Sequence, residues 1–155
     1  MLRRAGPEDL PRLVELWMEM MHVHEGFDSR VVLTPGAPDA YKSYLASHAR
    51  SSKSVVVLAE EDDGGGVVGF CCAYMCQNLP TFIPAEFGYI SDLVVAPARQ
   101  GRGIGTQLLN YVKDWFQRYA ISCIQLQVYS NNGPGRRFWA AKGFKPFVER
   151  QWLDL

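Results

Sequence analysis

The sequence predicts a mixed α/β domain over residues 1–155, with an antiparallel hairpin inside a larger sheet. The chain has 155 residues, 48% of them hydrophobic, which suits one buried core and leaves too little chain for two domains. Segments with helical spacing of apolar residues alternate with short β-rich runs. Two of these runs are joined by an acidic, glycine-rich turn over residues 60–66, which is typical of a hairpin.

Each predicted element follows from a local signal. Pro7 and Pro38 open helices, because proline and nearby acids suit a first helical turn, and Gly143 ends the last helix. The order is β-α-α-β-β-β-α-β-α-β. It comprises a strand over 2–5, helices from Pro7 and from Pro38, strands over 54–59, 67–75 and 87–96, a helix over 103–119, a strand from Ile124, a helix ending at Lys142, and terminal strands over 145–155.

Composition excludes several classes of protein. Lys and Arg number 16, as do Asp and Glu, and a net charge of zero argues against a general nucleic-acid binder. The longest apolar stretch, Val67–Cys76, is about half the roughly twenty residues that a membrane span needs. The charged opening residues do not resemble a secretory signal. We therefore expect a cytoplasmic protein without a membrane partner.

The cysteines form no recognisable framework. Cys71, Cys72 and Cys76 share one apolar run and Cys123 stands alone, with no His or second cysteine pair to complete a metal site. We interpret all four as buried thiols in a reducing compartment. The acids of residues 60–66 are interpreted as a solvated turn, because the glycines there work against fixed ligands. No metal is therefore expected.

Charge is unevenly distributed along the chain. Acidic residues outnumber basic ones up to Gln77, and basic residues outnumber acidic ones after it. Either this asymmetry reflects chance and one acidic turn, or the second half binds a small polyanion.

The most informative segment is Asp92–Thr106, which runs from a strand through a glycine-rich turn into a helix. Glycines allow backbone N–H groups to crowd around an anion, and a helix N-terminus adds unpaired N–H groups and partial positive charge. Together they form a phosphate-binding site, with Arg99 and Arg102 beside it. The segment lacks the lysine of a Walker loop, and Leu108 stands where a dinucleotide fingerprint has its third glycine.

The run Gln100-Gly101-Arg102-Gly103-Ile104-Gly105 resembles the Gln/Arg-x-x-Gly-x-Gly/Ala signature of the GNAT superfamily of N-acetyltransferases. The resemblance covers almost the whole chain in the right order. It includes Leu93–Pro97 before the loop, Asn132 with Phe138-Trp139 and Lys142-Gly143-Phe144 after it, and the opening Arg3–Leu10. It implies a GNAT-type acyltransferase fold, with a central, mixed, mostly antiparallel sheet flanked by helices.

The resemblance also implies acetyl-CoA as the acetyl donor. Its diphosphate is expected on the N–H groups of Gly101–Thr106, and its pantetheine arm alongside the strand before the loop. Arg136 and Arg137 either meet a phosphate or are solvated. The expected cofactor-binding residues are Leu93, Val94, Val95, Gln100, Gly101, Arg102, Gly103, Ile104, Gly105, Thr106, Asn132 and Arg137.

Acetyl transfer to an amine sets demands on the catalytic residues. A lysine-like amine has a pKa near ~10.4, so a base must take its proton before it attacks. Asp92 is the leading candidate and Glu86 the second. The resemblance implies a tyrosine acid on the last helix, but this chain has Trp139 there. Either Tyr129 substitutes for it, or solvent protonates the departing thiolate.

The acceptor site is expected in the first half and near residues 80–87. His24, Glu25, Phe27 and Tyr41 are candidate lining residues, and the acidic first half favours a polyamine, an aminoglycoside or a peptide amine. Residues 147–155 are a candidate pairing strand for a homodimer.

Two other functions stay open. A non-catalytic acyl-CoA-binding sensor is favoured by Trp139 in place of tyrosine, and it predicts donor binding without acetylation. A general nucleotide-binding domain predicts that ATP competes as well as coenzyme A, which the missing lysine argues against.

Overall fold

The computed structural model describes residues 1–62 and 64–155. Short 3-10 turns precede the first helix, at Pro7–Asp9, and follow the fourth strand, at Pro97–Arg99. The strands are β1 (Leu2–Arg4), β2 (Ser54–Glu60), β3 (Val67–Gln77), β4 (Glu86–Val95) and β5 (Ile124–Leu126). The helices are α1 (Leu10–Glu25), α2 (Ala37–Arg50), α3 (Ile104–Arg118) and α4 (Gly133–Ala141).

The strands form one 5-stranded sheet in the order β1-β2-β3-β4-β5. The first three pairings are antiparallel, and β4 pairs with β5 in parallel. The predicted mixed, mostly antiparallel sheet is therefore confirmed. The parallel pairing is short, because only residues 88–90 of β4 meet residues 124–126 of β5. Beyond Ile90, this side of β4 has no paired strand among the described residues.

Helices cover both faces of the sheet. On one face, Leu13 and Leu16 of α1 and Leu45 of α2 pack against Phe70 and Cys72. On the other face, the apolar side of α3 packs on Cys71 and its neighbours, with Leu108, Val112 and Phe116 fully buried. Cys71 and Cys72 lie in opposite cores because successive strand residues point to opposite faces. Both are buried as predicted, whereas Cys76 and Cys123 are only half-buried.

Most predicted elements are confirmed to within a few residues, but the terminal strands over 145–155 are wrong. That segment has no regular secondary structure, and its large apolar side chains, such as Phe147 and Trp152, are exposed. A strand is stable only when its backbone pairs with a neighbour. The predicted turn over 60–66 includes Asp63, which lies outside the described residues.

The predicted acidic turn is more ordered than a freely solvated one. Glu60 accepts hydrogen bonds from the guanidinium of Arg3, which also forms a bidentate pair with the buried Asp9 at 2.7 and 2.8 Å. Glu61 pairs with Arg99. Among the described residues, no helix combines the length and apolar character needed to cross a bilayer.

Candidate active site

The loop between β4 and α3 presents a cluster of unpaired backbone N–H groups. Gly101 and Gly103 have φ values of 75° and 81°, a left-handed conformation that glycine adopts without steric cost. The first helical bond of α3 runs from Gln107 N–H to Gly103, and no described residue accepts a hydrogen bond from the N–H groups of residues 101–106. Such an array at a helix N-terminus suits a phosphate group. The geometry therefore fits the diphosphate of coenzyme A.

Two residues beside these N–H groups hold the loop in place. The side-chain amide of Gln100 donates to the carbonyl of Val95 at 3.1 Å, so it ties the loop to the end of β4. Arg99 pairs with Glu61 of the β2–β3 connection, which neutralises its charge. Arg102 is exposed and makes no ion pair within the described part of the chain. Of the two arginines predicted beside the phosphate, Arg102 is therefore the available cation.

Helix α4 lies against the start of α3. A Cβ built on Gly105 would lie 3.5 Å from the Phe138 ring, an ordinary contact, and 3.3 Å from Leu93 Cδ2, a tight one. The Asn132 side chain accepts a hydrogen bond from the N–H of Gly135 at 2.9 Å and caps α4. Asn132 thus has a structural role, while Arg137 is an exposed side chain near the same helix start.

The backbone of Leu93, Val94 and Val95 lines the gap where β4 and β5 separate. These residues pair with β3 on one side, opposite Cys71, Phe70 and Gly69. On the other side the pairing with β5 has already ended at Ile90. An open strand edge that leads to the N–H cluster offers the backbone groups that an extended pantetheine chain requires.

A β-bulge in β4 decides the direction in which Asp92 points. Cys72 pairs with Asp92 but Ala73 pairs with Ile90, so Ser91 is an extra residue in β4. Ile90 packs in the α3 core, whereas Val94 packs in the α1–α2 core, although both positions are even-numbered. The bulge therefore moves Asp92 to the α1–α2 face of the sheet.

Asp92 lies half-buried below α1 and α2 at the edge of the gap. Burial raises the pKa of its carboxyl group above the ordinary value of 3.8. Ser91 Oγ donates to the carboxylate at 2.8 Å and opposes this rise, as do the nearby Tyr41 hydroxyl and Trp17 indole. A carboxyl group with a raised pKa is a stronger base than an exposed aspartate, which suits proton removal from an amine.

The other catalytic candidates lie in different surroundings. Asp92 lies just beyond the part of β4 that pairs with β5, and Tyr129 lies just beyond the end of β5. The two residues therefore flank the gap. Trp139 is half-buried in the core between Phe138 and Phe144, with ring centroids 5.0 and 5.1 Å away. Glu86 is exposed at the opposite end of β4, about 20 Å along the strand from Asp92, and accepts a hydrogen bond from Gln77. Its position does not support the role of base.

An aromatic groove between α1 and α2 adjoins Asp92. It has a volume of about 390 Å³ and is lined by Trp17, Val32, Leu33, Thr34, Ala37, Ala40, Tyr41 and Tyr44. Trp17 and Tyr41 stack with ring centroids 4.0 Å apart. These two side chains also contact Asp92, so they form a wall shared by the groove and the carboxylate.

Only one of the predicted acceptor residues lines this groove. Tyr41 does so, but His24 packs against Phe27 and Tyr129, with ring centroids 5.8 and 5.3 Å away. Glu25 pairs with His22 at 3.3 Å. Burial lowers the pKa of His24, so this residue favours the neutral form beside Tyr129.

Sequence reasoning missed the bulge, the contact of Trp17 with Asp92 and the pairing of Arg99. The bulge leaves no local signal, because Ser91 is an ordinary strand residue and only the register with β3 shows that it is extra. The helical spacing of Trp17 in the sequence indicates only a core position, and the packing of the helices brings it to the carboxylate.

Comparisons with known proteins show the family and agree with the fold. The profile of the Acetyltransferase (GNAT) family matches residues 12–144. The peptidyl-lysine N-acetyltransferase YiaC of Escherichia coli K12 is 29% identical over 154 residues, covering 99% of this chain and 88% of that protein.

Solved structures share the fold. A mutant of the BH1408 protein from Bacillus halodurans superposes with a TM-score of 0.90 at 22% identity, covering 100% of this chain and 99% of its own. A predicted acetyltransferase from Clostridium acetobutylicum, solved with acetyl-CoA, has a TM-score of 0.78 at 22% identity, covering 100% and 94% of the two chains.

Proposed function

Because the chain belongs to the GNAT family of acetyltransferases, we propose that it transfers the acetyl group of acetyl-CoA to a primary amine within a ternary complex. The arrangement of Asp92 at an open β4 edge that leads to the N–H cluster carries this proposal. In this arrangement the general base, the strand edge for the thioester-bearing arm and the N–H groups for the phosphates follow one another along β4 and the loop. The E. coli relative is named for acetylation of peptidyl-lysine, which is in keeping with an amine acceptor.

The loop and the β4 edge hold the donor in this proposal. The N–H groups of Gly101–Thr106 bind the diphosphate, with Arg102 adding positive charge. The backbone of Leu93–Val95 pairs with the pantetheine arm, and Arg137 faces the phosphates from α4. Gln100 and Asn132 support this surface by tying the loop to β4 and capping α4.

The chemistry uses Asp92 as the base. Its carboxylate takes a proton from the acceptor ammonium, and the freed nitrogen lone pair forms the C–N bond as the C–S bond breaks. The nitrogen then releases its second proton to solvent, which leaves the neutral amide. A backbone N–H in Leu93–Val95 stabilises the negative charge on the carbonyl oxygen. Tyr129 donates a proton to the departing sulfur across the gap, and solvent is the alternative source. We place this reaction in the cytoplasm, where the four free thiols stay reduced.

A second candidate function is a non-catalytic acyl-CoA sensor. The specific observation in its favour is that Trp139 occupies the core where relatives are expected to offer a catalytic tyrosine. An indole N–H does not act as an acid near neutral pH.

Titration calorimetry and thiol release together test both candidates. The full chain is titrated with acetyl-CoA, with ATP as a control ligand, and then incubated with acetyl-CoA and a broad set of amines. The enzyme proposal expects saturable acetyl-CoA binding, weaker ATP binding and amine-dependent release of free thiol. Binding without thiol release from any amine favours the sensor, and absence of acetyl-CoA binding contradicts both.

A further inference from the structure

The groove between α1 and α2 has an apolar and aromatic lining with no charged side chain. Its walls come from Trp17, Tyr41 and Tyr44, together with aliphatic residues of the connection and of the first turns of α2. The ring series continues beyond the groove from Tyr44 through His48 to Tyr74, with centroids 4.4 and 4.6 Å apart. Such a lining removes an apolar stem from water and attracts a single cation through the ring faces.

One buried hydroxyl beside the groove lacks a hydrogen bond of good geometry. Tyr41 is only 8% exposed, and its hydroxyl lies near the Asp92 carboxylate but completes no well-formed hydrogen bond with any of the residues that the structure describes. Buried polar groups are nearly always satisfied, so an unsatisfied one that lines a groove indicates a ligand that supplies the missing group. An ammonium N–H that donates to the Tyr41 oxygen would satisfy it.

Asp92 is the carboxylate that the groove walls Trp17 and Tyr41 contact, and the lining itself contributes none. One carboxylate matches one ammonium charge. A polyamine or an aminoglycoside brings several charges or hydroxyls, each of which would lose hydration against an apolar wall that offers no partner.

We propose that the α1–α2 groove takes a primary amine with a single positive charge at the end of an apolar stem, either an alkyl stem such as a lysine side chain or an arylalkyl stem. This inference rests on the proposed acetyl transfer. It narrows the acceptors expected from the acidic first half, because it excludes polyamines and aminoglycosides. Tyr41 positions the ammonium group, and Asp92 accepts its proton before the nitrogen attacks.

An acceptor panel tests the inference. The full chain is assayed for thiol release with acetyl-CoA and each of four amines: an Nα-blocked lysine amide, phenethylamine, spermidine and kanamycin. We expect the lysine amide or phenethylamine, whichever is the better substrate, to have a kcat/KM about tenfold or more above that of spermidine and kanamycin. Higher kcat/KM for spermidine or kanamycin overturns the inference and leaves the acetyltransferase proposal intact. Absence of thiol release with every amine overturns both.

A charge-placement variant gives an independent readout. Ala40→Glu adds a carboxylate at the exposed rim of the groove, whereas Ala49→Glu makes the same change at an exposed site of α2 outside it. We expect Ala40→Glu alone to raise kcat/KM for spermidine by about two- to fivefold, the range of an exposed ion pair. Equal effects of the two variants would contradict binding in this groove.

Tyr41→Phe tests the unpaired hydroxyl without removing the ring. We expect KM for the preferred amine to rise by about three- to tenfold while the thermal midpoint stays nearly equal, because the buried hydroxyl makes no well-formed hydrogen bond that the substitution would break. Tyr111→Phe, on the opposite face of the sheet, is the matched control. An unchanged KM in Tyr41→Phe would remove Tyr41 from acceptor binding.

Discussion

The Asp92 carboxyl group is placed for the proposed proton transfer, and its burial lowers the stability of the fold at neutral pH. Its carboxyl pKa is raised by burial, so the folded protein holds this proton more tightly than the unfolded chain does. The associated stability is therefore present at pH values below the ordinary pKa of 3.8 and is lost as the pH rises through the higher folded pKa. At neutral pH the ionised side chain destabilises the fold.

Asp92→Asn is expected to lower kcat/KM by about 10²–10⁴-fold and to raise the thermal midpoint at neutral pH. The wild-type pH profile should show an acid limb above the ordinary carboxyl range, and the variant should lose that limb. Initial rates and thermal melts from pH 4 to pH 9 measure both effects. Similar rates and pH profiles for the two proteins would exclude Asp92 as the base.

Tyr129 and Trp139 are expected to differ sharply in their effect on turnover. Tyr129→Phe removes the hydroxyl that is proposed to protonate the departing sulfur and should lower kcat by about 10²-fold. Trp139→Phe alters a core contact and should lower stability with little change in kcat. Steady-state assays at saturating acetyl-CoA compare them, and an unchanged kcat in Tyr129→Phe would identify solvent as the proton source.

At the scale of elements, the proposed donor site consists of backbone groups of the β4–loop–α3 unit. The site therefore depends on the conformation of its glycines more than on side chains. No atom lies within 4 Å of a Cβ built on Gly103, so a side chain would not clash there. Glycine is favoured at this position because the backbone has a left-handed φ.

Gly103→Ala is expected to weaken acetyl-CoA binding by roughly tenfold, because left-handed strain of about 1–2 kcal/mol shifts the loop away from its binding conformation. Gly66→Ala is the control, since Gly66 has the same left-handed conformation and open surroundings in the β2–β3 connection. Calorimetry and thermal melts should show similar destabilisation of both variants but weaker binding only for Gly103→Ala. Equal affinities would argue against the loop as the diphosphate site.

Local signals made most of these elements predictable. The glycines before α3, the proline that opens α2 and the apolar stripe of α3 each act within a few residues. The bulge at Ser91 and the aromatic groove depend on contacts between distant segments, so the sequence pattern could not reveal them. Residues 145–155 show the opposite case, in which an apolar pattern suggested strands but no partner strand pairs with them.

At the scale of the whole molecule, the C-terminal segment exposes a large apolar surface. Phe147, Val148, Trp152 and Leu153 are between 61% and 82% exposed. Trp152 has one cation contact, with the Arg30 guanidinium 5.8 Å from its ring centroid. Contiguous exposed apolar groups on this scale are typical of protein–protein contacts.

The chain is expected to form a homodimer through residues 147–155. Replacing Phe147 and Leu153 together with Ser should shift the molecule to a monomer, with the acetyl-CoA affinity retained because the donor loop is untouched. Light scattering over a range of protein concentrations measures the mass. A monomeric wild type at all concentrations would contradict the prediction.

The bulge in β4 determines which face of the sheet carries the carboxylate. Ile90 faces α3, and because Ser91 is an extra residue, Asp92 lies opposite Cys72 on the α1–α2 face. If Ser91 instead paired in regular alternation, Asp92 would point toward Leu108 and Val112 under α3, where an acid has no counter-charge, and Val94 would exchange sides as well. Homologous chains that keep an acid on the α1–α2 face should therefore have either this bulge or a strand that lacks this one residue.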